Sequence, residues 1–127
     1  MTPRLAATFA DEFNVPFASL DDCKTQFERV DIACNAVGRD PASIVRSAAL
    51  VICCAENSAE LEHRASNIGR DVDELATNGL AGQPAQIIEI IHAYGNLGVS
   101  RIYLQILDMQ DLEHVRHIAS EVLPMVL

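Results

Sequence analysis

The stretch Pro84–Val122, PAQIIEIIHAYGNLGVSRIYLQILDMQDLEHVRHIASEV, decides how the chain is read. Ile87, Ile88, Ile91, Tyr94 and Leu97 recur at the three- and four-residue spacing of one helix face, and Gly98 suits the left-handed position just past its end. Ile102, Tyr103, Leu104, Ile106 and Leu107 then make a nearly continuous apolar run, which predicts a strand. Asp108 reads as the cap of a second helix, whose stripe is Leu112, Val115, Ile118, Ala119 and Val122, with Pro124 beyond its end. A strand apolar at almost every position is expected to be buried on both faces, as in a parallel sheet covered by helices. Ligands of such folds collect at the carboxyl ends of the strands, here Gln105–Asp108.

Upstream, the same unit recurs. FNVPFA, Phe13–Ala18, mixes strand formers with Pro16 and reads as a short strand with Asn14 at its polar break. Ser19 with Asp22 opens a helix marked by Phe27, Val30, Ile32, Ala33 and Val37, which Gly38 ends. SAALVICC, Ser47–Cys54, is a second buried strand; Asn57 with Glu60 caps the helix after it, and Asp71–Thr77 forms another short one. Gly82-Gln83-Pro84 supplies loop, cap and first turn for the helix of the opening stretch. Before all of these, Thr2–Phe13 reads as a helix carrying Leu5, Phe9 and Phe13 four apart. The pattern is α/β: about three strand-helix units on a parallel sheet, one domain over residues 1–127, and too few units to close a barrel of eight.

Composition narrows the function. With 18 acidic against 9 basic residues the net charge is −9, and Arg39, Arg46, Arg64, Arg70 and Arg101 are scattered rather than clustered. Nucleic acid and anionic membranes are therefore not expected partners. No apolar run approaches the roughly 20 residues of a membrane span, so a cytoplasmic protein is expected. Cys23, Cys34, Cys53 and Cys54 lack paired metal-site spacing and read as reduced, buried thiols.

Candidate chemistry is sparse, and no catalytic residue is assigned. His114 and His117 are three apart on the last helix, but nothing in the sequence completes a metal site and a solvated helix face is the reading for both. Cys53 and Cys54 point to opposite faces of their strand, which favours packing; Cys54, at the strand end, is the more exposed to a chemical role. Asn14, Gln105 and Asp108 fall at predicted carboxyl ends of strands, as possible ligand contacts at a barrel mouth. Asn14 and Asp108 also suit a turn and a cap, whereas a long amide such as Gln105 inside an apolar strand needs a partner.

LAATFADEFN at Leu5–Asn14, GRDP at Gly38–Pro41, Gly82-Gln83-Pro84, Gly98-Val99 before RIYLQILD, and a terminal EVLP resemble, in this order, the carboxyl-terminal third of the luciferase-like monooxygenase family, in particular its actinobacterial deazaflavin-dependent oxidoreductases. Gln83 departs from the threonine usual there. The resemblance implies a TIM-type (β/α) barrel of which this chain is a part, coenzyme F-420 or FMN as cofactor, and hydride transfer to or from an organic substrate. It also implies that the strands carrying most cofactor contacts and the glycine-rich cofactor loop lie outside this sequence. The expectations are thus a chain inactive alone that binds no cofactor by itself, and a partner that is either a second copy or a chain supplying the missing strands. The alternative is a non-catalytic, oligomerising remnant.

Overall fold

The computed structural model describes residues 2–127. Its axis is β2, Val45–Cys54, a ten-residue strand buried at every position from Ser47 onward. β1, Glu12–Pro16, and β4, Val99–Gln105, both pair with Arg46–Ala49 in parallel, so they lie on opposite edges of β2. A short third strand, β3, Leu80–Gly82, pairs in parallel with Ile52–Cys54. The Phe17 amide donates to the Ala49 carbonyl at 2.8 Å and the Ala55 amide to the Gly82 carbonyl at 3.0 Å. Both bonds use odd-numbered residues of the β2 line, so β3 follows β1 along one edge and β4 holds the other alone. The result is an open α/β sheet, not closed into a barrel.

The helices follow from their caps. α1, Pro3–Phe9, starts on the Thr2 hydroxyl, α2, Leu20–Ala36, on Ser19, α3, Ser58–Asn67, on Asn57, and α4, Val72–Asn78, on Asp71. α5, Pro84–Asn96, is set by the Gln86 side chain accepting from the Gln83 amide at 2.8 Å. Gln83 Nε2 also donates to the Glu56 carbonyl at 2.7 Å, a bond a threonine is too short to make, so the departure at this position has a structural use. α6 is Leu112–Glu121 and α7 Leu123–Val126.

The two sheet faces differ. Even-numbered side chains of β2, Ala48, Leu50, Ile52 and Cys54, join the main core with Phe27 and Val30 of α2, Ile87 and Tyr94 of α5 and Ile118 of α6. On the opposite face Val51 and Cys53 pack with Ala65, Leu75 and Ala81 under α3 and α4. Gly79 is required at that junction, because a Cβ there would stand 2.7 Å from the Val51 carbonyl oxygen.

Several expectations change. The first helix ends at Phe9, and Phe13 lies in β1; Ala6, Ala7 and Ala10 are the buried side chains while Leu5 and Phe9 face outward, Phe9 79% exposed. Small side chains let the α1 backbone come close to its neighbours, and the large residues are left outside. In α2 Cys23, Phe27, Val30 and Cys34 are buried, whereas Ile32 and Val37 are exposed. Most consequentially, β4 is not buried on both faces: only Val99 is buried, and Tyr103 is 43% exposed. The strand is an edge, with nothing paired beyond it among the described residues.

Candidate functional site

The carboxyl ends of β1, β2 and β4 lie at one end of the sheet, and the polar side chains there converge on Arg64 of α3. Its Nε donates to Asp111 Oδ2 at 2.9 Å, and its Nη1 to the Cys54 carbonyl at 2.9 Å and to Glu60. One guanidinium therefore ties the β2–α3 loop to the β4–α6 loop. Asp111 also caps α6 by accepting from the His114 amide at 3.0 Å, the role expected of Asp108. Hydrogen bonding from Arg64 holds the Asp111 carboxyl below the usual carboxylate range.

His114 is 5% exposed, so the histidine pair does not share a solvated face. Its Nε2 accepts from the Cys54 amide at 2.8 Å, which fixes the neutral ring with its proton on Nδ1. Burial, helped by the Arg64 charge, lowers its pKa. His117 Nδ1 lies 3.8 Å from Cys54 Sγ. That distance suits a catalytic thiol, but burial pushes the Cys54 thiol up to about 11, so it stays protonated and unreactive near neutral pH. All four cysteines are free and buried, as their spacing led one to expect. Beside this cluster a cavity of about 440 Å³ is lined by Glu56, Glu60, Glu113, Glu121, Arg116 and His117.

The three residues anticipated from sequence are not brought together; among the described residues no hydrogen bond joins them. Asn14 is the middle residue of β1 rather than its end, on the sheet face away from the main core, and its Nδ2 donates to the buried Ser47 Oγ at 2.9 Å. Gln105 is the last residue of β4, half-buried and level with Val51. Asp108 Oδ1 accepts from the Gln110 amide at 3.1 Å, which shapes the turn ahead of α6.

Two features were missed. Phe17, directly past β1, has a φ of +55°, the only non-glycine residue in the left-handed region among those described, and its ring is half exposed at the strand ends. That backbone costs about 1–2 kcal/mol. Phe17 is held there by its own amide bond to Ala49 and by Tyr94 Oη, which donates to the next carbonyl, Ala18, at 2.9 Å. On the same sheet face as Asn14, the Glu12 carboxylate accepts from Arg101 at 2.7 Å and from Tyr103 Oη at 3.1 Å, across the width of the sheet. Neither carries a local sequence signal: the partners are 89 and 91 residues apart.

No protein-family model matches the chain, and no curated protein is similar to it in sequence. Solved structures match it in fold. The coenzyme F420 dependent tetrahydromethanopterin reductase from Methanopyrus kandleri superposes on 98% of this chain with a TM-score of 0.76 at 12% identity. The chain has the fold of the matched part of that reductase. An F420-dependent secondary alcohol dehydrogenase gives a TM-score of 0.73 at 13% identity, and the FMN-bound oxygenating constituent of 3,6-diketocamphane monooxygenase from Pseudomonas putida 0.63 at 18%, each over 98% of this chain. The chain spans less than half the length of these structures, 48%, 46% and 45% respectively. Their cofactors differ, so the shared fold does not select between deazaflavin and flavin.

The mouth residues of this chain do not by themselves fit a phosphate-bearing cofactor. Arg64 is consumed by three internal acceptors and Arg116 is paired with Glu113. In the neighbouring cavity Glu60 and Glu113 pair with the two arginines, and Glu56 and Glu121 leave an excess of negative charge that repels an anion.

Proposed function

We propose that this chain forms the carboxyl-terminal part of a luciferase-like flavin- or deazaflavin-dependent oxidoreductase, and that it acts only together with polypeptide supplying the remaining strands. One observation carries the reading: the fold matches over 98% of the chain but less than half of the solved structures, and among the described residues β4 ends the sheet on an unpaired edge. The cofactor supplies hydride chemistry, while the protein holds it and the organic substrate in place. In this assignment Gln105 and Asp108 contact ligand at the strand ends, Asn14 is held by Ser47 below them, and Arg64 positions both mouth loops. The anion anchor comes from outside the chain. Coenzyme F-420 and FMN titrations followed by fluorescence test the proposal. The chain alone should leave the signal unchanged, and addition of the missing strands should produce saturable binding. Tight binding by the chain alone, or none by the reconstituted pair, would sink it.

A further inference from the structure

We infer that His114 is a proton-operated latch: it ties the end of β2 to α6 only while its ring is neutral, and taking up a proton frees the two mouth loops from each other. Every bond involved lies within this chain, and none depends on the oxidoreductase reading.

The latch exists because β2 outruns its neighbour. β4 follows β2 only as far as the pair Gln105 and Val51, and the chain then turns away toward α6. β2 continues to Cys54. The Ala55 amide donates to the Gly82 carbonyl on the other edge, so the Cys54 amide faces the side that β4 has left. A buried amide needs an acceptor. Where a carbonyl of β4 would have stood, His114 Nε2 accepts from it at 2.8 Å. The exchange of partner changes the chemistry of that bond. A carbonyl accepts at any pH, whereas a protonated imidazole has only donors to offer.

This bond closes a ring of four residues. The Cys54 carbonyl accepts from Arg64 Nη1 at 2.9 Å, Arg64 Nε donates to Asp111 Oδ2 at 2.9 Å, and Asp111 Oδ1 accepts from the His114 amide at 3.0 Å. Cys54 is thereby held through its amide from α6 and through its carbonyl from α3. A proton on Nε2 would set two N–H groups against each other across 2.8 Å and add a second cation near Arg64. Water cannot rescue that charge in place: the cavity that Arg64, Asp108, Asp111 and His114 share is about 10 Å³, room for one water at most. The groups around the ring pull both ways. Burial opposes the cation most, Arg64 and His117 oppose it further, and Asp111 and Glu60 offset only part, so the pKa of His114 is lowered. Burial keeps the Cys53 and Cys54 thiols protonated, so they add no charge.

Amide exchange of the whole chain, corrected for the intrinsic effect of pH on exchange, tests the latch. A released ring takes its proton near pH 6.5 and the closed ring only below it, so release grows easier by up to about tenfold for each pH unit below 6.5. Protection of the Cys54 amide should therefore fall severalfold between pH 7.5 and 5.5. That loss should be indifferent to low urea, because opening the latch exposes little surface, whereas exchange through global unfolding rises with urea. His114→Gln supplies an acceptor that cannot titrate and should make Cys54 protection independent of pH over the same range. The ring resonances of His114 in the unaltered chain give a readout that needs no variant, and they should titrate below 6.5. Constant Cys54 protection across the range would overturn the inference, and so would an equal loss in His114→Gln. A loss as steep in urea as global unfolding, or a His114 ring that titrates at 6.5 or above, would overturn it as well.

Discussion

β2 and the run Ile102–Leu107 look alike as sequence, each mostly apolar, yet β2 is buried from Ser47 to Cys54 and no residue of the second run, which includes most of β4, is fully buried. An apolar strand reports what it is built to pack against. Its burial reports what is present. β2 has β1 and β3 along one edge, β4 along the other, and helices on both faces. Among the described residues β4 has β2 on one side and an open edge on the other.

Stability measurements can break this comparison or sharpen it. Leu50→Ala in β2, at a fully buried site, should cost about 3 kcal/mol in urea unfolding. Arg64→Ala should cost about 2 kcal/mol, because it leaves Asp111 and the Cys54 carbonyl without their shared donor; the Cys54 amide bond to His114 should then exchange faster with solvent. Leu104→Ala in β4, the counterpart of Leu50→Ala at the same level of the sheet, should cost no more than about 1 kcal/mol in dilute protein. A cost equal to that of Leu50→Ala would mean that the outer side of β4 is covered in solution.

Acid supplies the smallest and most local probe. The folded pKa of His114 lies below its ordinary value, so the neutral ring stabilises the fold fully above the unfolded pKa near 6.5, and this contribution is lost as pH falls toward the folded value. Asp111 follows at lower pH, its depressed folded pKa giving stability above the ordinary carboxylate range that disappears below it. The urea midpoint should therefore drop between pH 7.5 and 5.5, and His114→Gln should flatten that drop while leaving the later one near pH 4. An unchanged profile in the variant would assign the acid sensitivity elsewhere.

What the sequence revealed was local chemistry. Ser19 and Asn57 accept from backbone amides three residues on, as their positions suggested, Asp71 does the same ahead of α4, and the β2 run needed no partner to be recognised. The parallel α/β arrangement followed from such runs alternating with helices. The mouth was less legible, because Arg64 meets Cys54 ten residues away and Asp111 forty-seven away, and His114 reaches back sixty to Cys54. Asp108 was a plausible cap in sequence, but Asp111 stands where the helix begins. β3 escaped notice because three residues are too few for an alternation to show. The exposure of Leu5, Phe9 and β4 was hidden for a different reason: hydrophobicity in a sequence does not say which neighbour will come.

The placement of Pro16 has a bearing on how far any strand pairing can spread. If both outer edges could accept a strand, β4 of one copy could lie on β1 of the next, and that head-to-tail contact would repeat without limit into a fibre. The Phe17 amide and the Asp11 carbonyl bond to β2, so Pro16 turns its backbone outward, and by withholding an amide there it breaks that repeat at the β1 end.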